Sequence, residues 1–320
     1  MNGLTTQSPG ERRFLEDNFR EISMCKISNL KQNRFGHWAL AFGNYLRFGI
    51  WNLGFPICLL LIFLVILLNV GCQRAKVGIT VAGSTSVEPF AELLAEDYMS
   101  RYPQSHIYVQ GGGSTAGIEA VRTHAASIGM SSRSLLPDEK DLYAVTIAKD
   151  AIAIIVNPKN PIQDLSLDQI RQVFSGKIKN WRELGSPPHP IVLVNREEGS
   201  GTRESFQKFV MGKEETTLES LVQDSNGAIR QVVSNDPSTI GYISLGLVNE
   251  KVKALKISGI EPSLTNIETG KYTLVRPFLF VLNGQPEGEV KSFLEFVLSP
   301  PAQELLSKEG LVTVHKTSGK

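Results

Sequence analysis

Residues 196–206 read Arg-Glu-Glu-Gly-Ser-Gly-Thr-Arg-Glu-Ser-Phe, a glycine and hydroxyl loop that leads straight into an amphipathic segment. The two glycines allow the backbone to pass close to a ligand, and Ser200 and Thr202 supply hydroxyl donors. At a helix start the first backbone N–H groups lack partners, so they favour an anion. An arginine on either side of the loop, Arg196 or Arg203, can add a planar charged fork. The loop predicts an oxyanion site, with an ordinary helix cap flanked by solvated arginines as the alternative.

Two further loops of this kind lie upstream. Residues 83–88 read Gly-Ser-Thr-Ser-Val-Glu, and residues 111–119 read Gly-Gly-Gly-Ser-Thr-Ala-Gly-Ile-Glu. Each follows a short apolar run and precedes apolar residues at helical spacing. Thr85 and Glu88 also fit a capping box, and a weaker fourth loop covers residues 224–229. Because loops of open α/β sheets gather at the carboxyl ends of strands, we expect these helix starts to converge on one anion.

Strands and helices alternate along the globular part of the chain, which indicates an α/β architecture. Residues 77–82, 106–110 and 151–156 are expected to form strands. Ser166 and Gln169 predict a capped helix start. The apolar stripes of the helices are assigned to the hydrophobic core, with no role in binding.

Eight stretches follow one another over about residues 77–314. They are GSTSVEPFAELLAEDY, QGGGSTAGIEAV, IGMSSRSL, AKDAIAIIVNP, IRQVFSGKIKNWRELG, REEGSGTRESF, NGAIRQVVSNDPSTIGYIS and YTLVRPFLFVLNG. Together and in this order they resemble the phosphate-binding family of the Pst system, among the periplasmic-type solute-binding proteins of ABC importers. The resemblance does not cover residues 1–49.

The resemblance implies a two-lobed α/β fold, the type II periplasmic-binding-protein fold, with the ligand cleft between the lobes. The chain would cross between lobes near residues 148–150 and again within residues 260–272. Lobe 1 would then contain residues 77–147 and 260–320, and lobe 2 would contain residues 148–259. Closure of the lobes would remove water from the anion and strengthen each hydrogen bond to it.

The resemblance also implies a set of binding residues, with each lobe supplying half of a cage. A charge-assisted hydrogen bond contributes roughly 1.5–3 kcal/mol, so several suffice for micromolar affinity, which requires about 8 kcal/mol. No chemistry on the ligand is required. Arg133, Glu198 and Asn226 are further candidates. The implied ligand-binding residues are Ser84, Thr85, Ser86, Ser114, Thr115, Ser132, Arg196, Ser200, Gly201 and Thr202.

Selectivity for phosphate over sulfate benefits from an acceptor for the proton that phosphate retains near neutral pH. Some family members place an aspartate where this chain has Ser132, which carries no charge and precedes Arg133. Glu198 either accepts that proton or orients Arg196. Inorganic phosphate is the expected ligand, and sulfate, molybdate or a phosphonate are the alternatives.

Composition and charge argue against several other classes of protein. A formal net charge of +1 over 320 residues gives no broad basic face for nucleic acid. The three cysteines and five histidines lack zinc-type spacing, so neither a metal nor a cofactor is expected. The loops contain no Gly-x-Ser-x-Gly elbow. We expect a monomeric binding protein rather than an enzyme, with a serine hydrolase or phosphatase and a non-transport sensory or adhesive domain as alternatives.

The beginning of the chain differs from the rest. Residues 50–72 are expected to be a transmembrane or signal segment, because an uncharged apolar run of this length can span a bilayer. Residues 1–49 contain seven Lys and Arg against four Asp and Glu, which places this cytoplasmic or n-region extension inside the cell. The globular part would then lie on the outer face of the cytoplasmic membrane, periplasmic or extracellular, beside the permease subunits of an ABC importer.

Cys72 follows Gly71 and is the candidate for lipid attachment after signal removal. However, Asn69 stands where lipoprotein signals usually carry leucine, and the preceding extension is long for a signal peptide. A lipidated Cys72, an uncleaved signal anchor and cleavage to a soluble form therefore remain as alternatives. Either of the first two would tether the receptor to the membrane.

Overall fold

The computed structural model describes residues 78–314. The strands in this part of the chain are β1 (Ile79–Gly83), β2 (Ile107–Gly111), β3 (Ile128–Ser131), β4 (Tyr143–Val156), β5 (Asp164–Leu165), β6 (Val192–Arg196), β7 (Leu221–Gln223), β8 (Thr239–Ser244), β9 (Lys253–Ala254), β10 (Lys256–Ile257) and β11 (Val275–Leu282). The α-helices are α1 (Glu88–Arg101), α2 (Ser114–Arg122), α3 (Leu167–Phe174), α4 (Gly201–Phe206), α5 (Asn226–Asn235), α6 (Leu264–Glu268), α7 (Gly288–Val297) and α8 (Pro300–Lys308).

Two parallel groups of strands are joined through an antiparallel centre. The sheet runs in the order β2-β1-β3-β11-β4-β8-β6-β7, with β9 beside β4. Strands β2, β1 and β3 are parallel, and so are β8, β6 and β7. Strands β11 and β4 run antiparallel to each other and to their outer neighbours β3 and β8. The carboxyl ends of β1, β2 and β6 bear the glycine and hydroxyl loops.

The long central strand β4 runs through both lobes. The first half of β4 pairs with β11 and packs in one hydrophobic core, which includes Ile147 and Phe280. Its second half pairs with β8 and packs in another core, which includes Ile154 and Tyr242. The first crossing between the lobes therefore lies within β4 and includes Asp150.

The second crossing lies later than the sequence analysis expected. Ile267, Tyr272 and Leu274 pack in the second core. The Tyr272 hydroxyl also donates to the carbonyl of Ile152 at 2.8 Å. These contacts fix the segment before β11 on lobe 2. The chain therefore returns to lobe 1 at the start of β11, and the expected boundary within residues 260–272 is wrong.

Two capping predictions had opposite outcomes. Ser166 Oγ accepts from the Gln169 N–H, and Gln169 Oε1 accepts from the Ser166 N–H, so the capping box before α3 is confirmed. Before α1, the predicted box of Thr85 and Glu88 is wrong, because Val87 is the N-cap residue and has no side-chain cap. The Thr85 hydroxyl instead accepts from an arginine at the end of β6.

The expected membrane segment, residues 50–72, and Cys72 lie outside the described residues. Of the helices described, α1 is the longest at 14 residues, whereas a membrane-spanning helix needs about 20. Within residues 78–314, no helix is both long and apolar enough to cross a bilayer.

Candidate anion-binding site

The loops that follow β1, β2 and β6 meet in one place. Ser86 Oγ lies 2.8 Å from Thr202 Oγ1, although 116 positions separate them in the sequence. At the same junction the second loop packs against the third, since a Cβ atom on Gly201 would lie only 2.2 Å from Ser114 Oγ. Any side chain at this glycine would therefore displace the Ser114 or Ser132 hydroxyl. The loops that the sequence analysis grouped by composition are neighbours in space.

Arg196, at the end of β6, is 1% exposed. Its Nε and Nη2 atoms each lie 2.8 Å from an oxygen of Glu197. Nη2 also donates to Thr85 Oγ1 at 3.1 Å and to the Asp224 carbonyl at 3.0 Å. Nη1 is buried and has no hydrogen-bond partner among residues 78–314. Because buried donors are almost always paired, Nη1 is a donor available to an anion.

Glu197, not Glu198, holds the Arg196 side chain. Glu197 directly follows β6, and its two carboxylate oxygens accept from Nε and Nη2 of the Arg196 guanidinium. Glu198 is exposed on the turn at Gly199, whose φ is +80°. The alternative in which Glu198 orients Arg196 is therefore wrong, and the adjacent carboxylate performs that role.

A second buried arginine lies at the same junction. Arg276 on β11 is directly opposite Asp150 on β4, and both side chains are fully buried. Arg276 Nε and Nη2 donate to Asp150 at 3.0 and 2.9 Å. Nη1 donates to Thr202 Oγ1 at 2.8 Å, and Nη2 donates to Ser86 Oγ at 3.2 Å. Arg276 therefore contacts the loops of both lobes at once.

The Asp150 carboxyl is held from two sides. Burial raises its pKa above the ordinary value, while the positive charge of Arg276 opposes that rise. The Ser244 hydroxyl donates to the other carboxylate oxygen at 2.8 Å and opposes the rise as well. Both oxygens are thus engaged by donors that favour the ionised form.

Asn226 joins the fourth loop to the first. The Ser225 hydroxyl caps α5 by accepting from the Ala228 N–H at 3.1 Å, so the cap is already filled. Asn226 Nδ2 donates to Ser86 Oγ at 2.9 Å, and its Oδ1 accepts from the Ser244 N–H at 3.1 Å. The side chain of Asn226 therefore lies at the junction of the loops rather than at the helix cap.

Ser114 and Ser132 form a second hydroxyl pair on lobe 1. Ser114 Oγ accepts from the Ser132 N–H at 3.1 Å, and the two hydroxyl oxygens are 3.5 Å apart. The hydroxyls of Ser84 and Ser200 accept from backbone N–H groups of their own loops. Both are buried beside the junction.

Thr115 and Arg133 contact lobe 2 at the rim of the junction. The Thr115 N–H donates to the Gly199 carbonyl at 3.1 Å. Arg133 pairs with Glu139 at 2.6 Å and with Glu204 at 2.6 Å. Although burial alone would raise the pKa of Glu139, hydrogen bonds from Arg133 bring it below its ordinary value. Carboxylates thus engage the Arg133 guanidinium, which places it among the contacts between lobes.

The junction has the features of an anion cage. Its free groups are donors and hydroxyls, and its nearby carboxylates are each held by an arginine. Within residues 78–314, no hydrogen bond joins a histidine to one of these serines, and no cluster of three metal-ligating side chains is present. The arrangement can bind a small anion by hydrogen bonds and charge.

Arg276 and Asp150 were missed by the sequence analysis. One signal was available, because Arg276 is the charged residue within the apolar run LVRPFLFVL, and Asp150 follows Lys149 at the start of the apolar run KDAIAIIV. A buried base and a buried acid in two apolar strands are costly unless they are paired. The same argument links β4 to β11 from the amino-acid sequence alone.

Known proteins share both the sequence and the fold. A family model described as a PBP superfamily domain matches residues 71–301. The phosphate-binding protein PstS of Bacillus subtilis is 32% identical over 252 residues, which cover 76% of this chain and 83% of that protein. A substrate-binding protein with bound phosphate from Clostridium perfringens is 41% identical, with a TM-score of 0.72 over 74% of this chain and 100% of that chain. An ABC-type phosphate transport receptor from Vibrio cholerae is 36% identical, with a TM-score of 0.62 over 73% of this chain and 99% of that chain.

Proposed function

The chain belongs to the PBP superfamily and to its PstS-type phosphate-binding proteins, and we propose that it is an extracytoplasmic receptor that delivers inorganic phosphate to an ABC importer. The main support is the buried Nη1 of Arg196, a cationic donor at the junction of four loops that has no hydrogen-bond partner within residues 78–314. The phosphate bound by the relative from Clostridium perfringens supports the choice of anion.

The donors at the junction are sufficient for tight binding without chemistry on the ligand. Arg196 Nη1 supplies two N–H groups, and the hydroxyls of the loops add neutral donors. At roughly 1.5–3 kcal/mol for each charge-assisted hydrogen bond, a few such contacts reach the roughly 8 kcal/mol of a micromolar complex. Contacts between the lobes exclude water and strengthen each of these hydrogen bonds.

The pair of Ser114 and Ser132 can accept the proton that phosphate retains. Two hydroxyls have four lone pairs and two protons. The Ser132 N–H fills one lone pair, and the contact between the hydroxyls fills a second. Two lone pairs therefore remain for the P–OH group. Sulfate has no proton to donate there, so the pair favours phosphate.

Calorimetry of residues 75–320 tests this function. These residues form one compact unit, and its hydrophobic cores are built from residues within it. We expect phosphate to bind with a micromolar or lower Kd, and sulfate and molybdate to bind roughly tenfold more weakly, the value of about one neutral hydrogen bond. Equal affinity for sulfate and phosphate from about pH 6 to 8 would reduce the function to that of a general oxyanion receptor.

We also propose that the receptor is tethered through Cys72 or the apolar segment before it. In cells that produce the full chain, we expect a labelled fatty acid to be incorporated into the wild type and lost in Cys72→Ser. Cys25→Ser is the matched control and should keep the label. A membrane-bound, full-length chain with an unmodified Cys72 would instead establish an uncleaved anchor.

A further inference from the structure

We propose that Arg276, held by Asp150, is a specificity-determining residue that makes the hydroxyls of Ser86 and Thr202 donate to the anion and prevents them from accepting from it. The inference rests on the proposed function and deepens it. It assigns this corner of the cleft to an anion oxygen that carries no proton.

The hydrogen bonds that Ser86 Oγ and Thr202 Oγ1 accept determine where their own protons can be donated. Ser86 Oγ accepts from Arg276 Nη2 at 3.2 Å and from Asn226 Nδ2 at 2.9 Å. Thr202 Oγ1 accepts from Arg276 Nη1 at 2.8 Å. Two hydroxyls offer four lone pairs and two protons. Three lone pairs are thus filled by N–H donors, and the 2.8 Å contact between the hydroxyls fills the fourth.

Because N–H donors fill both lone pairs of Ser86 Oγ, Ser86 donates to Thr202 Oγ1, and the proton of the Thr202 hydroxyl is left over. Within residues 78–314, neither Ser86 nor Thr202 has a further acceptor for it. Arg196 reaches the same loop, because its Nη2 donates to the neighbouring Thr85. The acceptor that fits the leftover proton is therefore an anion oxygen beside Arg196. A protonated oxygen fits less well, because it can accept the leftover proton but finds no open lone pair on Ser86 or Thr202 for its own proton.

Arg276 acts through these hydroxyls because all five of its N–H groups are engaged. Nε and one N–H of Nη2 donate to Asp150. Nη1 donates to Thr202 Oγ1 and to the Ser132 carbonyl, and the second N–H of Nη2 donates to Ser86 Oγ. The fork is needed to reach both hydroxyls while it holds Asp150. Lysine cannot reproduce that geometry.

The two hydroxyl pairs of the cleft therefore differ in the number of lone pairs that stay open, although each pair keeps one O–H that can donate. Ser114 and Ser132 receive one backbone N–H and keep two open lone pairs. Ser86 and Thr202 receive three N–H groups and keep none. The first pair takes the protonated oxygen of phosphate, and the second takes a bare oxygen.

Deleting the hydroxyls one at a time and together tests the proton count. After either Ser86→Ala or Thr202→Val, the remaining hydroxyl can still donate its proton to the anion. We therefore expect each variant to weaken phosphate binding by about threefold or less. The double variant removes the donor completely and should weaken binding by roughly 10- to 100-fold, as expected for a hydrogen bond to a charged group. Calorimetry on residues 75–320 measures all four constants. Single effects that simply multiply in the double variant would overturn the inference.

The ratio of sulfate to phosphate dissociation constants tests the role of Arg276 itself. Arg276→Lys keeps the charge beside Asp150 but opens a lone pair, which phosphate can use and sulfate cannot. We expect the ratio to rise by roughly three- to tenfold, a neutral hydrogen bond, and to rise more toward pH 6. Ser132→Ala should lower the ratio, and Arg171→Lys, at an arginine on α3, should leave it unchanged. An equal loss for both anions in Arg276→Lys would mean a merely structural role.

Two further measurements distinguish failure of this inference from misfolding of Arg276→Lys and from failure of the proposed function. If thermal melting shows that Arg276→Lys does not fold, Asn226→Ala opens the other lone pair of Ser86 and should raise the same ratio, and an unchanged ratio there overturns the inference. If the wild type binds sulfate or molybdate but no phosphate, the proposed function fails. The hydroxyl deletions are then measured with that anion, and they still decide whether the pair is a donor.

Discussion

Arg196→Ala is expected to weaken phosphate binding by roughly 30- to 5,000-fold, because removing one member of a buried, hydrogen-bonded charge pair costs about 2–5 kcal/mol. The variant loses the buried Nη1 donor, which has no partner within residues 78–314, and leaves the nearby Glu197 carboxylate without its cationic partner. The bound anion would lose the attraction of the Arg196 guanidinium and would be repelled by the Glu197 carboxylate. Calorimetry on residues 75–320 measures the loss directly.

The matched control is Arg203→Ala, seven positions along the same loop and helix. Arg203 Nη1 donates to the Arg196 carbonyl at 3.2 Å, so this side chain supports the backbone of the site. We expect its removal to cost less than tenfold in affinity. Equal or greater damage from Arg203→Ala would show that the wrong arginine was chosen. Binding by Arg196→Ala within threefold of wild type would refute its role altogether.

Asp150→Ala is expected to lower the free energy of unfolding by about 3–5 kcal/mol, since it leaves the guanidinium of Arg276 buried without a counter-charge. For a chain of this size, that corresponds to a fall in Tm of roughly 6–20 °C. Urea unfolding followed by circular dichroism gives the free energy, and scanning calorimetry gives the Tm.

Two comparisons make the stability result specific. Glu219→Ala breaks an ion pair with Lys179 of similar length, 2.7 Å, but this pair is mostly exposed, so little change is expected. The double variant Asp150→Leu, Arg276→Met removes both buried charges and should recover part of the lost stability. If Asp150→Ala were no more damaging than Glu219→Ala, the buried pair would not hold the two central strands together.

The sequence predicted the parts of the site that depend on local chemistry. Ser86, Ser114 and Thr202 lie in short loops whose glycines and hydroxyls predict a ligand site without any knowledge of the fold. Their meeting point followed from a general rule of open α/β sheets. Strand and helix positions followed in the same way from apolar spacing and from caps such as Ser166.

Other parts depend on pairings between distant strands and were therefore missed. Arg276 reaches Ser86 across 190 positions, and only the register of β11 against β4 brings it opposite Asp150. The choice between Glu197 and Glu198 depends on which way the backbone turns after β6. The return to lobe 1 was placed too early because the contact of Tyr272 with lobe 2 is also nonlocal.

The lobes are joined by adjacent, hydrogen-bonded strands, and this has a mechanical consequence. Two hydrogen-bonded strands can twist slightly at many residues. Opening of the lobes would therefore be a distributed twist of β4 and β11 rather than a rotation about a single flexible linker. Asp150 and Arg276 sit on that axis, where rotation displaces atoms least. Arg133 and Glu204 lie on separate lobes and form an ion pair across the cleft. Rotation about the central strands would therefore separate Arg133 from Glu204 while Asp150 and Arg276 stay paired.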